Sequence, residues 1–397
     1  MSERLYYRDA SLLEFDAQVV EHAGDAHHVV LDRTAFYPTS GGQPHDIGVL
    51  GASRVVDVID EGARIVHVVE GNLPLGAVRG AVDGARRRDH MQQHTAQHLL
   101  SALAGDQYKW ETASVHFGAE HSTIEFATST TSDRQLADLQ QWANAVVAQA
   151  RTVSVTFEDA AAADVAGLRK PSGRSGEIRV IAIDGVDRSA CGGTHVARTS
   201  EIGPVLLRGV EKIRGHTRVG FLAGGRVFSH VLAADKTLDA LATELGCAVN
   251  QLEEIVATRQ QESKSLRDQL GTLEQEAAGS RIRAMYGDAG SGADGLRRIM
   301  YHAADESASL LRLMAQAVAP LEQCLFVAIG ATPPALYFAT SNDSGVDAGA
   351  LLKPALAVVG GRGGGSARVA QGTAPSAAAL EQVAGTILGR TLASGQP

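Results

Sequence analysis

Two short segments of the sequence contain side chains that bind metals. His94 and His98 are four residues apart in the segment HTAQH, on a predicted helix, where this spacing places both imidazoles on one face. Cys191 and His195 are also four residues apart, in the segment CGGTH, whose glycines let the backbone turn so that the two side chains converge. Three imidazoles and a thiol form a donor set that suits tetrahedral zinc. The alternative is a buried free cysteine with hydrogen-bonded core histidines.

The elements that must position these residues follow from the hydrophobic pattern. Residues 1–90 alternate short apolar runs with Gly, Asp and Pro turns, which is typical of a small barrel or a curved antiparallel sheet. From about Arg87 the period becomes that of an amphipathic helix, residues 114–128 favour a hairpin, and a second helix begins at Ser132 or Asp133. Further strands are predicted in VSVTFED, GEIRVIAIDG and PVLLRGVEKI. Helices packed on an antiparallel sheet make this an α+β fold.

The pattern changes again in the second half of the chain. Apolar residues from Leu238 to Leu273 keep a three-four spacing that Arg259 and Ser263 interrupt, which indicates a short coiled coil or helical hairpin. An ordinary amphipathic helix on a domain surface is the alternative. After a linker at 288–295, SLLRLMAQAVAP and SAAALEQVAGTILGRTL indicate helices, and CLFVAIGA, ALYFATS and LLKPALAVVGG indicate strands.

These patterns predict four domains. We expect a small N-terminal β-barrel at 1–88, a zinc-binding domain with helices on an antiparallel sheet at 89–226, a helical or coiled-coil connector at 227–286 and an α/β module at 287–397.

The composition limits the class of protein. A chain of 397 residues, 44% hydrophobic and 20% charged, can bury the cores of several domains. A net charge of −9 excludes a general polyanion binder, so any contact with nucleic acid requires local basic patches. The sequence lacks a run of roughly 18 apolar residues, a secretory signal and the cysteines of a disulfide framework. We therefore expect a soluble, cytoplasmic protein with no membrane partner.

Three segments together resemble a known family. HTAQH at 94–98, CGGTHV at 191–196 and LDRTAFYPTSGGQ at 31–43 look like the editing domain of alanyl-tRNA synthetases, and still more like their free-standing relatives, the AlaX trans-editing proteins. VVGGRGGGSARVAQG at 358–372 resembles the glycine-rich stretch of the synthetases' C-terminal C-Ala domain, so the domain order is similar to that of the long AlaX type. The chain leaves no room for the synthetases' activation domain, and aminoacylation is not expected.

The resemblance implies hydrolysis of the ester that joins a wrong amino acid to tRNA-Ala, with serine the first expected error and glycine the second. A pocket sized for alanine excludes neither the smaller glycine nor the hydroxyl-bearing serine well. A second site with hydrogen-bond partners for the serine hydroxyl rejects alanine, because alanine leaves those partners unpaired. The implied cofactor is one Zn²⁺ on the four residues above, which either activates a water or orients the substrate.

The resemblance also suggests residues that act on the substrate. Thr34 is the candidate partner of the serine hydroxyl, or else an ordinary strand threonine. Gln43, in the turn SGGQ, is a candidate to bond substrate or water, or else ends a hairpin turn. His116 matches a motif of the free-standing family and is expected to line the pocket, or else is a hydrogen-bonded core histidine. Asp187 is a candidate partner for a metal-binding histidine. Gln97 lies where many synthetases have threonine, which leaves the preferred amino acid open.

Backbone amides and basic residues complete the predicted site. The amides of Gly192, Gly193 and Thr194 are candidates for an oxyanion site. Two basic clusters flank the cysteine segment and are expected to contact acceptor-stem phosphates, or else are solvated surface: Arg169, Lys170, Arg174 and Arg179, and Lys212, Arg214 and Arg218. By resemblance to C-Ala, Arg362 and Arg368 beside Gly361, Gly363 and Gly364 would contact the outer corner of the tRNA, or else lie in a flexible loop. The glycines lack the GxxxxGK[ST] order of a nucleotide-binding loop, so ATP is not expected.

Three functions stay open from the sequence. The first is a zinc-dependent deacylase of mischarged tRNA-Ala acting in trans. The second is an RNA-binding or dimerising module with a structural zinc and no turnover. The third is a zinc hydrolase of small amino-acid esters. A second copy of the chain is a further predicted partner, through the helical segment 238–273 or the C-terminal domain.

Overall fold

The structure is a computed structural model that describes residues 1–303, 305–331 and 333–389. Contacts divide the chain into two compact units, Met1–Ala240 and Leu241–Pro397. Both units combine helices with β-sheets, so the chain is a mixed α/β protein. The four-domain division with boundaries at 88/89, 226/227 and 286/287 stays a prediction.

The first unit contains most of the strands. Its elements, in chain order, are β1 (Glu3–Arg4), β2 (Glu14–His22), β3 (His28–Leu31), β4 (Arg33–Thr34), β5 (Gly48–Leu50), β6 (Ser53–Asp60), β7 (Ile65–Val69), β8 (Gly76–Val82), α1 (Gly84–Tyr108), β9 (Thr112–Phe117), β10 (Ser122–Phe126), α2 (Asp133–Ala148), β11 (Val153–Asp159), α3 (Ala160–Val165), β12 (Glu177–Ile183), β13 (Asp187–Ala190), β14 (Val205–Ile213), β15 (His216–Ala223) and α4 (Gly225–Leu245), which crosses the boundary between the units.

A closed barrel is formed by the N-terminal strands in the order β2-β3-β7-β6-β5-β8. Burial alternates along β2, with Phe15, Ala17 and Val19 inside, because successive side chains of a strand point to opposite faces. Leu31 and Phe36 contribute to the same core. The predicted N-terminal barrel is therefore present, with six strands.

Helix α1 follows the barrel directly and occupies the centre of the first unit. Asp83 caps its start, because the carboxylate accepts from the amides of Ala85 and Arg86. Two antiparallel sheets, β14-β15-β10-β9 and β11-β12-β13, complete this part. Leu99 and Leu100 of α1 are buried in one core with side chains of both sheets. Burial of most of α1 explains how its histidines can be held away from water.

The second unit has one sheet with helices on it. Its elements are α5 (Leu252–Asp288), β16 (Arg297–Ala303), α6 (Ala308–Gln316), β17 (Cys324–Ala331), β18 (Pro334–Thr340), α7 (Ala348–Val358), β19 (Arg362–Gly365), β20 (Val369–Thr373) and α8 (Ala377–Ile387). The strand order is β16-β17-β18-β20-β19, with β16 parallel to β17 and the other neighbours antiparallel. The last three residues of the helix predicted in SAAALEQVAGTILGRTL lie outside the described residues.

One predicted strand of this unit is wrong. The segment LLKPALAVVGG forms most of helix α7 and not a strand. Asp347 caps the helix by accepting from the Ala350 amide, and Leu352 and Leu356, four residues apart, are both buried. A continuous apolar run fits a buried strand and a buried helix equally well, so its period does not separate the two.

Helix α5 contains much of the segment with three-four apolar spacing. It runs without interruption through Arg259 and Ser263. Leu266, Leu270 and Leu273 are exposed on it, whereas Ile282 near its C-terminal end belongs to the core of the second unit. Pairing of this helix in a coiled coil stays a prediction. Among the described residues, no helix is both long and apolar enough to cross a membrane.

Candidate metal centre

Four side chains from two distant segments meet in the first unit. One donor atom from each of His94, His98, Cys191 and His195 lies within 4.8 Å of the others. The Cys191 Sγ is 3.5 Å from His94 Nε2 and 3.3 Å from His195 Nε2. The three histidines are buried and Cys191 is half-buried. These distances are short enough for the four atoms to share one ion.

The second nitrogen of each imidazole has a protein partner. His94 Nδ1 lies 2.8 Å from Gln43 Oε1, and His98 Nδ1 lies 2.8 Å from Asp187 Oδ2. An amide or carboxylate oxygen only accepts, so both Nδ1 atoms carry the hydrogen. This arrangement fits a metal, because each Nε2 keeps its lone pair for the ion.

Thr95 holds the third imidazole. Its Oγ1 donates to the carbonyl of Met91 at 2.8 Å and lies 3.1 Å from His195 Nδ1. Since the hydroxyl hydrogen is used on Met91, His195 Nδ1 donates to Thr95, and His195 Nε2 is free of hydrogen. The sequence does not single out Thr95, although it lies next to His94 in HTAQH.

Electrostatics favour the metal-binding protonation states of Cys191 and His195, whereas His98 must release a proton to bind a metal. Burial alone would raise the pKa of the Cys191 thiol, but the opposing effect of the neighbouring His94 and His195 is larger. The pKa of the thiol is therefore well below its usual value. Burial lowers the pKa of His195 to about 3, against the opposing effect of Cys191. Burial also lowers the pKa of His98, but its hydrogen bond to Asp187 and the nearby Cys191 raise it to about 9. A thiolate and neutral imidazoles are the forms that ligate zinc.

The cysteine loop is folded tightly around its neighbours. A Cβ on Gly193 would overlap His94 Cε1, so glycine is required there for the two segments to approach. Arg179 donates from Nη1 to the carbonyls of Cys191, at 2.7 Å, and Gly193, at 2.8 Å. These contacts define the shape of the cysteine loop.

Comparison with known proteins identifies the family of this chain. Residues 178–219 match the threonyl and alanyl tRNA synthetase second additional domain, and residues 7–85 match the class II (A) tRNA synthetases. The alanyl-tRNA editing protein Aarsd1 of Mus musculus is 31% identical over 87% of this chain and 84% of its own length. The chain belongs to the alanyl-tRNA editing protein family. The resemblance seen in the sequence is thereby confirmed.

Two further matches are to alanyl-tRNA synthetases or their domains. The alanine–tRNA ligase of Korarchaeum cryptofilum is 31% identical over 94% of this chain, which spans 43% of that protein. Among solved structures, the C-Ala domain of Aquifex aeolicus alanyl-tRNA synthetase matches 25% of this chain and 95% of its own, with 19% identity and a TM-score of 0.22.

Gln43 of this editing-family member lies next to the metal cluster, the group formed by His94, His98, Cys191 and His195. It is 1% exposed, and its Oε1 accepts from the Thr194 amide as well as from His94. Its Nε2 donates to Thr194 Oγ1 at 2.8 Å. Gln43 thus links the SGGQ turn, α1 and the cysteine loop, and it orients His94. This placement differs from the predicted contact of Gln43 with substrate or water.

The predicted oxyanion amides have different surroundings. The Thr194 amide donates to Gln43, and the Gly193 amide donates to Cys191 Sγ at 3.3 Å, so both are used inside the loop. Gly192 lies at the edge of the loop, where a Cβ would be 3.5 Å from Tyr7 Oη. The oxyanion role therefore needs correction for Gly193 and Thr194, because these donors are already engaged. It stays a prediction for Gly192.

His116 lies on the outer face of strand β9. It is exposed, whereas the next residue, Phe117, is buried, with its ring centroid 4.9 Å from that of His94. Alternation along the strand turns the two side chains to opposite faces. His116 is therefore not a core histidine, its place in a substrate pocket stays a prediction, and Phe117 is the residue of this strand that packs on His94.

Thr34 is buried within the barrel. It is 0% exposed, its Oγ1 lies 2.8 Å from His67 Nε2, and it accepts from the Phe36 amide at 3.0 Å. Burial lowers the pKa of His67 to about 4, so this imidazole is neutral. A contact between Thr34 and a serine hydroxyl stays a prediction. His67 itself is not singled out by the sequence.

Asp187 and Gln97 flank His98 in different ways. Asp187 accepts from His98, as described, and from Arg169 Nε at 2.7 Å. Gln97 is buried and donates from Nε2 to Ser101 Oγ at 2.9 Å, one turn along α1. Asp187 therefore orients a donor residue, and the role of Gln97 in specificity stays a prediction.

The predicted basic clusters are only partly available to a partner. Arg179 is buried against the cysteine loop, so it cannot offer an exposed charge to phosphate, which corrects the expectation for this residue. Lys170 is exposed and donates to the Thr112 carbonyl. Arg218 pairs with Glu125. Arg174, Lys212 and Arg214 are exposed.

The glycine-rich strand β19 lies in the second unit. A Cβ on Gly361 would be 2.6 Å from the Thr373 carbonyl oxygen, and one on Gly363 would be 2.5 Å from both the Gln371 carbonyl oxygen and Leu356 Cδ1, so close packing against strand β20 and helix α7 explains both glycines. A Cβ on Gly364 would meet no described atom within 4 Å. Arg362 is exposed, and Arg368 donates to the Ser341 carbonyl at 3.0 Å. Contact of this strand with tRNA stays a prediction.

Proposed function

We propose that this chain is a zinc-dependent hydrolase that removes wrongly attached amino acids from tRNA-Ala, serine first and glycine second. The observation that carries the proposal is the cluster of three imidazoles and one thiol in a member of the alanyl-tRNA editing protein family. Relatives such as mouse Aarsd1 are named for the editing of alanyl-tRNA.

His94, His98, Cys191 and His195 would hold the zinc. When bound, zinc supplies Lewis-acid chemistry, which either lowers the pKa of an attacking water or orients the ester. The residues around the cluster keep the donors fixed: Gln43, Asp187 and Thr95 each accept the Nδ1 hydrogen of one histidine. This support lowers the reorganisation that binding requires and fixes which ring nitrogen faces the ion.

Selection of serine over alanine is assigned to Thr34. Its hydroxyl is bonded to His67, so contact with a substrate hydroxyl requires Thr34 to exchange or share that bond. The remaining lone pair of Thr34 Oγ1 is an acceptor that alanine would leave unpaired. This difference in pairing supports a preference for serine.

Binding of the tRNA is assigned to the exposed cations. Arg174, Lys212 and Arg214 of the first unit and Arg362 of the second are exposed and suited to phosphate contacts. Because the chain has a net charge of −9, such contacts must be local. The exposed leucines of α5 support pairing with a second copy of the chain, which sedimentation of the wild type against L270N would test.

The deciding experiment is deacylation of Ser-tRNA-Ala, Gly-tRNA-Ala and Ala-tRNA-Ala by the zinc-loaded protein. The same aminoacyl-tRNAs incubated without protein are the controls for spontaneous hydrolysis. We expect release of serine first and glycine second, with alanine spared. Equal release of all three would contradict the specificity. Release of free amino acid from small serine esters at the same rate as from tRNA would support the zinc hydrolase of small esters.

A structural zinc in an RNA-binding module is the second candidate. The observation that favours it is that four protein donors fill a tetrahedral shell, which is usual for structural zinc. In that case the zinc-loaded protein binds tRNA-Ala but releases no amino acid above the spontaneous rate. Turnover of Ser-tRNA-Ala excludes this candidate.

A further inference from the structure

A chain of hydrogen bonds connects the metal cluster to a surface loop. It begins at His98, whose Nδ1 donates to Asp187 Oδ2 at 2.8 Å. It continues from Asp187 Oδ1, which accepts from Arg169 Nε at 2.7 Å. Arg169 Nη2 also donates to Ser189 Oγ at 3.1 Å, and that hydroxyl is 3.0 Å from both oxygens of Asp187. Arg169 and Ser189 therefore hold the carboxylate that accepts from the imidazole.

Because Asp187 is buried, the orientation of its carboxylate depends on Arg169. The side chain of Asp187 is 0% exposed and that of Arg169 is 23% exposed. Without Arg169 the buried carboxylate keeps its bonds to His98 and Ser189 but loses a cation and a donor, so its charge is less compensated and its orientation is less restricted. His98 would then donate to an acceptor of variable position, and the direction of its Nε2 would vary with it.

Arg169 belongs to the loop between α3 and β12. The loop contains Gly167, at φ 90°, and Gly176, at φ 80°, conformations that glycine adopts readily. The Arg169 amide donates to the Arg188 carbonyl at 2.7 Å, which fixes this residue to β13. Arg169, Lys170 and Asp187 line one cavity of about 1260 Å³. A molecule in this cavity would touch the same guanidinium that holds Asp187.

We propose that Arg169 is a positioning residue that fixes the metal-binding ring of His98 through Asp187 and so connects the loop 167–176 to the metal centre. The proposal replaces the expected contact of Arg169 with tRNA phosphate. It rests on the proposed function only in that the cluster must bind zinc.

The test measures metal binding in the full-length protein. Zinc affinity of the wild type and of Arg169→Gln is determined by competition with a chromophoric chelator, and the absorption spectrum of the Co²⁺-substituted protein is recorded for both. We expect Arg169→Gln to weaken zinc binding about tenfold, the lower end of the effect of losing a residue that orients a ligand. The visible Co²⁺ bands should change in position or intensity.

Arg188→Gln is the matched control. Arg188 lines the same cavity, but its guanidinium pairs with Glu158 and contacts the Ala163 carbonyl. Its replacement should leave zinc affinity within about twofold and the Co²⁺ spectrum unchanged. If Arg169→Gln does not fold, as judged by circular dichroism, Arg169→Lys takes its place. Lysine keeps the charge but not the planar pair of donors, so a loss of about threefold is expected.

Deacylation kinetics separate this role from phosphate binding. A positioning role lowers kcat and spares KM, whereas a phosphate contact raises KM and leaves zinc affinity unchanged. Zinc affinity of Arg169→Gln equal to that of the wild type, with an unchanged Co²⁺ spectrum, overturns the proposal and leaves the hydrolase intact. If Arg169→Gln loses zinc affinity as predicted but the wild type deacylates no tRNA, the proposal is supported and the proposed function is contradicted.

Discussion

The metal cluster and the glycine-rich strand β19 are both singled out by the sequence, but they are built in opposite ways. In the cluster, the three histidines are buried, Cys191 is half-buried, and the second nitrogen of each imidazole is held by a neighbour. In β19, the arginine is exposed and glycines accommodate Leu356 of α7. Fixed, buried donors suit the binding of a metal ion, whereas solvated charge on an open surface suits contact with a polyanion.

The largest effect is expected at the metal cluster, on removal of Cys191. Cys191→Ala deletes the only thiolate among the donors, so zinc and activity should be lost together. We expect kcat/KM for Ser-tRNA-Ala to fall about a thousandfold, equivalent to about 4 kcal/mol of transition-state stabilisation. Zinc content and initial rates are the measurements. Cys247→Ala, at a half-buried cysteine of the second unit, is the control, and full zinc content in Cys191→Ala would remove this residue from the ligand set.

Two adjacent glycines test how tightly the cluster is packed. Gly193→Ala places a methyl group on His94 Cε1, so we expect zinc affinity to fall about a hundredfold. Gly192→Ala adds the same group at ordinary contact distance from Tyr7 and should keep zinc affinity within about threefold. Chelator competition compares the two variants. Equal affinities would show that the loop is looser than the structure indicates.

Replacement of Thr34 tests whether the barrel contributes to specificity. Thr34→Val removes the hydroxyl bonded to His67, and we expect the rate on Ser-tRNA-Ala to fall about tenfold, the value of one lost hydrogen bond. Zinc content should not change. Thr34→Ser keeps the hydroxyl and is the control. An unchanged serine rate in Thr34→Val would exclude Thr34 from the mechanism.

His67 should make the stability of the barrel depend on pH. Its pKa is about 4 when folded because of burial, and its ordinary value is 6.5, so the unfolded chain binds more protons between these values. Stability is therefore fully present above pH 6.5 and is lost as the pH falls towards 4, by at most about 1.4 kcal/mol per pH unit. Urea unfolding at pH 7 and pH 5 measures the change. His67→Gln should flatten this dependence, and an identical slope in the variant would assign it to other groups.

The smallest effect is expected in the second unit. Arg362→Gln should raise KM for Ser-tRNA-Ala about twofold and spare kcat, because one exposed phosphate contact is lost. The slope of log KM against log salt should become shallower by less than about one unit. Lys353→Gln, an exposed cation of α7, is the control. A fall in kcat with constant KM would contradict the role of Arg362 as a solvated contact.

The sequence by itself identified the four candidate donor residues, the barrel and the family. His94 and His98 were identifiable because a helix brings residues four apart to one face, and Cys191 and His195 because glycines bend their loop. The period of two residues predicted strands in the barrel for the same local reason. Such features depend on backbone geometry over a few residues, which a single sequence reveals.

Only the tertiary structure decided what surrounds these donors. The partners Gln43 and Asp187 are far from their histidines in sequence, and the packing of Phe117 on His94 depends on where β9 lies in its sheet. Burial likewise turned Arg179 from an expected phosphate contact into a support of the cysteine loop. Residues 351–358 belong to helix α7 because their apolar side chains pack against a sheet. Packing between distant segments sets these outcomes, and local periodicity contains no information about it.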